Sequence, residues 1–173
     1  MASTRRADAP PRRPLNELME RQPPFDLQAE IGVLGSIVLL PDVLDDVVML
    51  VRPDDFYDDA HRKLFEHMTA LHEAGKKIDD TLLINRLKTA GDYEVVGGAA
   101  YLSKVINAVP NAAHATYYAE IVREKSTYRS LIYAATEILR DAYDESQEAN
   151  HLLSQSEQKI FSILDNRSEG AVK

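Results

Sequence analysis

Residues 118–142 read YAEIVREKSTYRSLIYAATEILRDA, and the spacing of their apolar side chains predicts a long helix. Every third or fourth residue belongs to one seam, which is the heptad pattern of a helix that packs along its length. The seam consists of Tyr118, Ile121, Lys125, Tyr128, Ile132, Ala135, Leu139 and Ala142, with Leu131 and Ile138 beside it. Its one charged member, Lys125, either sets the register of a pairing or extends to solvent.

The sequence that follows extends this helix into a hairpin. No Gly or Pro occurs from residue 111 to residue 169, and a polar interruption at 144–150 precedes a second amphipathic segment. That segment carries Leu152, Leu153, Ile160, Phe161, Ile163 and Leu164. We therefore predict an αα-hairpin over 111–166. Its apolar stripes are wider than two helices can cover, so part of them is expected to meet another protein chain. The alternative is that the hairpin folds back onto the rest of the domain.

The pattern of residues 25–110 predicts a small helical head of about five to six helices. Apolar residues recur there with helical spacing, and each such stretch is bounded by Asp, Gly or Pro residues that suit helix ends. The first helix has Asp26 at its N-cap and a stripe of Leu27, Ile31, Leu34 and Val38. The second runs from Pro41 to before Pro53 with Leu44, Val47, Val48 and Val51 inward. Asp58 caps a third helix, whose inward residues are Leu64, Phe65, Met68 and Leu71 and whose stop is Gly75. Asp79 or Asp80 caps a fourth, which passes through Leu83 and Leu87 to Gly91. The fifth begins at Gly97-Gly98, turns Ala99, Leu102, Ile106 and Val109 inward, and closes at Pro110. The expected fold class is all-α, a helical head followed by a long hairpin that mediates oligomerisation.

Composition separates the first 24 residues from the remainder. Residues 1–24 contain five Pro, few aliphatic side chains and no periodicity, so a disordered tail is predicted. Residues 1–21 hold five Arg against three acids, a net +2, whereas the whole chain of 173 residues carries −8. That acidic balance argues against a protein that binds nucleic acid over its whole surface, although the tail could contact DNA.

No secretory signal or membrane-spanning stretch is found, so a cytoplasmic protein is expected.

The residues do not predict catalysis by this chain. It has no Cys, which excludes a disulfide framework and a thiolate zinc site. The Gly97-Gly98 pair is not followed by the Lys-Ser/Thr of a phosphate-binding loop, and the histidines are not spaced as metal ligands are. His61 is expected to be a hydrogen-bonded imidazole in the core or at its boundary. Paired acids such as Asp58-Asp59 and Asp79-Asp80 suit helix capping. Gly32 and Gly35 are expected to permit close helix packing. We therefore predict no catalytic residue, cofactor or metal site. The catalytic alternative, a metal-dependent hydrolase, would require convergence of His and Asp side chains, and a metal titration without a thermal shift would reject it.

Several short strings occur together in one order along the chain. They are Ala29-Glu30-Ile31-Gly32-Val33-Leu34-Gly35, Asp55-Phe56-Tyr57 with His61, Gly75 with Ile78-Asp79, Val96-Gly97-Gly98 with Tyr101-Leu102, and the run from Tyr117 to Val122 followed by Glu124-Lys125 and Arg129. In these strings the sequence resembles the N-terminal domain of DnaB-type bacterial replicative helicases over about residues 23–166. The Arg- and Pro-rich tail has no counterpart in the pattern.

The resemblance implies a specific organisation and function. Members of that family have a helical head and hairpin, a linker helix, and then an ATPase motor that uses ATP and magnesium. Residues 167–173 would begin the linker, and the motor would be absent. The hairpins would pair between subunits into a collar on a hexameric ring. The implied partners are further copies of the chain, primase, a helicase loader, and single-stranded DNA through the parent ring, with no membrane.

Eight apolar residues of the hairpin are predicted to serve self-association or primase contact. They are Tyr128, Leu131, Ile132, Leu139, Leu152, Ile160, Phe161 and Leu164. Packing within the hairpin is the competing role for each. Two other functions stay open: the helicase-binding C-terminal region of a primase, which has a similar head and hairpin, and an unrelated helical adaptor that dimerises.

Overall fold

The computed structural model of the protein describes residues 12–168, and side chains within that range up to Asn166. The α-helices are α1 (Leu15–Met19), α2 (Leu27–Leu39), α3 (Leu44–Val47), α4 (Asp59–Glu73), α5 (Asp80–Ala90), α6 (Gly98–Ile106), α7 (Ala115–Asp144) and α8 (Ala149–Ser168). Two 3-10 turns, Pro41–Val43 and Pro53–Asp55, complete the regular structure. No strand lies within the described range, and the predicted all-α class is confirmed.

Local capping chemistry fixes the start of three helices, as predicted. The side chain of Asp26 accepts a hydrogen bond from the Ala29 N–H at 2.9 Å, and that of Asp58 accepts from Ala60 N–H at 2.8 Å. Of the two alternatives for α5, Asp79 is the cap, since its carboxylate accepts from the Leu82 N–H at 2.7 Å. Each bond satisfies an N–H that the helix itself leaves without a partner. Gly91 ends α5 in the left-handed conformation, φ 77°, which glycine adopts without strain.

Two helices of the head differ from the prediction. The predicted second helix is a 3-10 turn followed by only one turn of α-helix, α3, and Val48 is exposed rather than inward. Leu44, Val47 and Val51 are buried as expected, because the chain turns after Val47 and brings Val51 back to the core. In α6 the inward face begins one residue earlier than predicted.

The inward residues of α6 are Gly98, Leu102 and Val105, while Ala99 is exposed. The helix also ends at Ile106, before Val109 and Pro110, and the Asn107 side chain donates to the Ser103 carbonyl at 2.8 Å there. A buried glycine cannot be recognised as an inward residue from hydropathy, which is why the predicted face was rotated.

The core lies among α2, α4, α5, α6 and the first half of α7. Close approach of helices to α2 depends on its two glycines, as predicted. A Cβ at Gly32 would lie 2.7 Å from the Tyr118 ring on α7, and one at Gly35 would lie 2.6 Å from the Val105 carbonyl oxygen on α6. Neither distance is compatible with a side chain at an unchanged backbone position.

The two ends of the chain were predicted to be a disordered tail and the start of a linker. Within the tail, residues Leu15–Met19 form the one-turn helix α1, which has no buried residue, so that part differs from the prediction. Residues 1–11 and 169–173 lie outside the described residues, and Arg167 and Ser168 continue α8. The link between α7 and α8 is shorter than the predicted polar interruption, with Glu145 in the left-handed conformation after α7.

Candidate assembly surface on the helical hairpin

The first half of α7 is buried against the head, and the second half is more exposed. In its first half, Ala115, Ala119 and Val122 are buried against the head, mainly against α2. Tyr118 and Ile121, both members of the predicted seam, pack at the edge of the same core. In the second half only Ala134 is buried. The predicted seam is therefore not one continuous interface, because its first part packs against the core of the head whereas Tyr128 and Ile132 in its later part stay about half exposed.

α8 packs against the second half of α7. Lys159 Nζ lies 3.3 Å from Glu137 Oε2 and 3.6 Å from Asp141 Oδ2, so Lys159 marks the face of α8 that meets α7. Leu152 precedes Lys159 by seven residues and Ile163 follows it by four, which places both on that same face. Both are half-buried. Leu152, one of the predicted interface residues, therefore lies on the side of α8 that packs within the hairpin.

Helical geometry shows which side chains turn away from the head. Tyr128 follows Ala119 by nine residues, about two and a half turns, and so lies on the opposite side of α7 from the head contact. On α8, Ser162 lines a crevice that the hairpin forms with Pro23 and Asp54 of the head. Ile160 and Leu164 stand two residues before and after Ser162, about 200° around the helix, and therefore point away from the crevice.

We group six exposed apolar side chains of the hairpin under one name, its outer face. It comprises Tyr128 and Leu131 of α7 with Leu153, Ile160, Phe161 and Leu164 of α8. Its members keep 39% (Leu131 and Ile160) to 68% (Leu153) of their surface exposed. Ile132 is 49% exposed and lies at the edge, since it also lines the crevice toward the head. Of the eight predicted interface residues, Leu139 and Leu152 are half-buried and the other six are exposed.

Arg129 fixes the hairpin to the head at the point where α7 changes faces. Its Nη1 donates to the Pro24 carbonyl at 2.8 Å and its Nη2 to the Asp55 carbonyl at 2.6 Å. The guanidinium also lies 5.4 Å from the ring centroid of Tyr57, which stacks on Phe25 at 4.6 Å. Burial lowers the pKa of Arg129, while Glu30 and Asp55 oppose that shift. We name this arrangement the Arg129 clasp; sequence analysis placed Arg129 only in the family pattern.

A buried polar network holds α2, α4 and α6 together beneath the clasp. Glu30 Oε2 is 2.5 Å from His61 Nδ1, and the other ring nitrogen of His61 is hydrogen-bonded to the Tyr101 hydroxyl. Glu30 also accepts from the backbone N–H of Tyr57 at 2.6 Å. A carboxylate only accepts hydrogen bonds, so Nδ1 of His61 carries the proton. His61 is 1% exposed and Glu30 2%, which confirms His61 as a satisfied core residue; its partner Glu30 was missed.

The network affects the titration of its tyrosine. Burial raises the pKa of Tyr101 above its usual value of 10.0, and the negative charges of Asp58 and Glu30 add to the shift. Across the part of the chain that the structure describes, no group of three or more His, Asp or Glu side chains could hold a metal ion. None of the helices between residues 12 and 168 is long and apolar enough to cross a membrane.

The family model for the DnaB-like helicase N terminal domain matches residues 22–124, which include the whole head and the first part of α7. The chain belongs to this family. Its membership agrees with the predicted resemblance and disfavours the alternative of a primase region. The chain is also similar to a solved structure, the N-terminal domain of DnaB helicase from Mycobacterium tuberculosis. That structure has a TM-score of 0.78 and 36% identity, and the match covers 82% of this chain and 99% of that one.

Two curated relatives match a longer part of the chain than the DnaB family model does. The replicative DNA helicase DnaB of Geobacillus stearothermophilus and the replicative DNA helicase DnaC of Bacillus subtilis are each 38% identical over 154 residues, 89% of this chain. The chain spans 34% of the length of each. Two further solved structures share the DnaB N-terminal fold at lower identity. One is a DnaB-like replicative helicase solved with regard to its interactions with primase, at 21% identity and a TM-score of 0.66. The other is the N-terminal domain of Helicobacter pylori DnaB, also described with its interactions with primase, at 24% and 0.58.

Proposed function

We propose that this chain is the assembly and recruitment domain of a replicative DNA helicase. The observation that carries the proposal is the outer face of the hairpin, six exposed large apolar side chains on its two helices. Soluble domains expose groups of large apolar side chains mainly where another protein binds. A second copy is the proposed occupant, and pairs of hairpins then build a collar of up to six subunits.

The size of the apolar stripe favours a weak pairing that the whole ring would strengthen. Complete burial of one large apolar side chain contributes about 1.5–3 kcal/mol, and the six members of the outer face are roughly half exposed, so each adds about 1 kcal/mol. A two-fold symmetric pair uses the face twice, which gives about 12 kcal/mol before association costs of about 4–15 kcal/mol. The isolated domain should therefore associate reversibly, and tethering to a ring should raise the effective concentration.

The parent protein is proposed to unwind duplex DNA. Its relatives are named replicative helicases, and this chain spans 34% of the length of each, so we propose that a motor domain that binds ATP and magnesium follows the hairpin. Single-stranded DNA would pass through the parent ring. The proposed location is the cytoplasm, at the replication fork, with a helicase loader as a further partner. The domain described here contributes assembly, and we assign it no catalytic step.

Primase is the proposed partner of the assembled collar. Two proteins with this fold are described with their interactions with primase, which supports the same partner here. The parts of the hairpin that a second copy leaves uncovered, such as Ile132 at the edge of the outer face, are proposed to serve that contact. Binding of primase should then depend on prior pairing of the hairpins.

Sedimentation velocity of the whole chain over a range of concentrations tests the assembly role. We expect a reversible shift from monomer to dimer or larger species, which Leu131→Asp and Ile160→Asp abolish because each places a charge in an apolar contact. Val95→Asp is the matched control, since Val95 is 61% exposed but lies on the head. Circular dichroism should show unchanged helicity in all three variants. A monomer at every concentration, or equal effects of Val95→Asp and Ile160→Asp, would contradict the assignment.

A further inference from the structure

A pocket on the head, remote from the outer face of the hairpin, lies between the C-terminal half of α4 and the length of α5. It has a volume of about 390 Å³. Its lining is made of His67, Leu71, Lys76, Leu82, Asn85, Arg86, Thr89 and Ala90. The proposed function uses none of these residues. We call it the α4–α5 pocket.

The pocket combines an apolar floor with a positive rim. Leu71, Leu82 and Ala90 provide apolar surface, and Leu82 is 36% exposed. Lys76 and Arg86 are the charged members of the lining, and no carboxylate is among the lining residues. In a chain whose net charge is −8, a concave surface with two cations and no acid is opposite in sign to the molecule as a whole.

Arg86 is held in place by a chain of hydrogen bonds. Its Nε donates to His67 Nδ1 at 3.2 Å, and the other ring nitrogen of His67 is 2.9 Å from Asp92 Oδ2. Because Nδ1 accepts, the proton of His67 lies on Nε2 and points to Asp92. The second oxygen of Asp92 binds Lys63 Nζ at 3.0 Å.

This anchoring uses only one of the nitrogens of Arg86. Within residues 12–168, its two terminal amino groups and the Lys76 ammonium have no ion-pair partner. A guanidinium fixed through Nε presents these amino groups as a planar fork, which suits a carboxylate. The hydrogen bond to His67 therefore restrains the orientation of this side chain.

We propose that the α4–α5 pocket binds an acidic segment of a protein partner, with an apolar side chain on the floor and neighbouring carboxylates on Lys76 and Arg86. A nucleic acid is the other anionic partner that a helicase domain meets. Single strands are normally held by large aromatic side chains that stack on the bases, and no Phe, Tyr or Trp lines this pocket. Leucine and alanine on the floor match an apolar side chain instead.

The test measures binding to the whole chain by fluorescence anisotropy. The probe is a short labelled peptide in which pairs of aspartates alternate with single leucines. Saturable binding is expected, together with amide shifts confined to α4, α5 and the loop between them in nuclear magnetic resonance spectra. Lys76→Glu and Arg86→Glu should each weaken binding about tenfold or more. Lys76 lies in the loop outside the His67 chain, so Lys76→Glu remains informative if Arg86→Glu perturbs the fold.

Lys88→Glu is the matched control, because Lys88 lies on the same helix but packs over the Tyr93 ring outside the pocket. Its binding should equal that of the original chain. An absence of binding would overturn the proposal, as would equal losses in Lys88→Glu and Lys76→Glu. An oligothymidylate that binds more tightly than the peptide, with the same sensitivity to Lys76→Glu, would replace the protein partner by a nucleic acid. None of these outcomes bears on the pairing of hairpins, since Leu131 and Ile160 are unchanged.

Discussion

Replacing Arg129 with alanine removes the clasp that joins the hairpin to two separate segments of the head. The two hydrogen bonds, to Pro24 and Asp55, come from a charged donor, and such bonds contribute about 1.5–3 kcal/mol each. The cation–π contact with Tyr57 adds about 0.5–1 kcal/mol at a partly exposed site. Water can reach the carbonyl groups after truncation, so we expect a loss of about 3 kcal/mol in the free energy of unfolding rather than the full sum.

Urea denaturation followed by far-ultraviolet circular dichroism, at one fixed protein concentration, measures this loss. Arg140→Ala is the matched control on the same helix. Arg140 contacts Glu137 at 3.9 Å and Asp141 at 3.7 Å with its side chain 67% exposed, so its loss should cost no more than about 0.5 kcal/mol. Arg129→Lys should recover less than half of the difference, since an ammonium group cannot reproduce the planar, two-pronged contact.

Hydrogen exchange locates the same effect within the molecule. Loss of the clasp should speed the exchange of amides near Phe25, Tyr57 and the middle of α7, while α5 should be unaffected. A destabilisation of Arg129→Ala below about 1 kcal/mol, or one equal to that of Arg140→Ala, would refute the reasoning, because the clasp would then contribute no more than an exposed ion pair.

Three further results are expected. Gly35→Ala should lower the free energy of unfolding by about 2–3 kcal/mol in thermal or urea denaturation, because its Cβ meets a backbone carbonyl at 2.6 Å. Gly75→Ala, with φ 67° and nothing within 4 Å, should lower it by only about 1 kcal/mol, and equal losses in the two variants would contradict the packing argument. Hydrogen bonds from His67 and Lys63 lower the pKa of Asp92 below 3.8. The stability that Asp92 contributes is therefore present above pH 3.8 and is lost as the pH falls through its folded pKa. Asp92→Asn should flatten the acid side of a plot of urea midpoint against pH, and an unchanged slope would refute this. The pKa of Tyr101 is raised above 10.0, so the stability that it contributes is present below pH 10.0 and is lost as the pH rises through the folded pKa. Tyr101→Phe should flatten the alkaline side of the same plot. Phenolate absorbance should show one tyrosine that ionises at a higher pH than the others, whereas a simultaneous titration of all tyrosines would count against the buried network.

The features predicted correctly from the sequence are those that neighbouring residues decide. Asp26, Asp58 and Asp79 cap helices through bonds to residues two or three positions away, so the local pattern is sufficient. The Arg129 clasp is different, because its bonds join residues 105 and 74 positions apart. The link from Glu30 to His61 spans 31 positions. Periodicity contains no information about such partners, and a buried glutamate within an apolar stripe is recognisable only when its partners are known.

The hairpin shows the same limit of a prediction from local sequence. The heptad pattern of α7 correctly indicated a long helix with one apolar stripe, but it could not show where the stripe changes from intramolecular to exposed. That change depends on small residues: Ala115 and Ala119 are buried against the head, and Gly32 of α2 leaves room for the Tyr118 ring of α7. Small side chains score as weakly apolar in a periodicity analysis, yet they decide which face of the helix is covered.

The continuity of α7 would connect the proposed pairing of hairpins to the orientation of the head. It is one helix of 30 residues, about 45 Å long, with no Gly or Pro at which it could bend. Its first half is packed into the core and its second half carries Tyr128 and Leu131 of the outer face. When two hairpins pair, the direction of each α7 is fixed, and the head must follow as long as the Arg129 clasp holds. Arg129→Ala should therefore leave dimerisation by the outer face intact while it loosens the head relative to the hairpin, whereas Ile160→Asp should do the reverse. If both substitutions abolished pairing equally, assembly would depend on the head as much as on the hairpin, and α7 would not act as the rigid link between them.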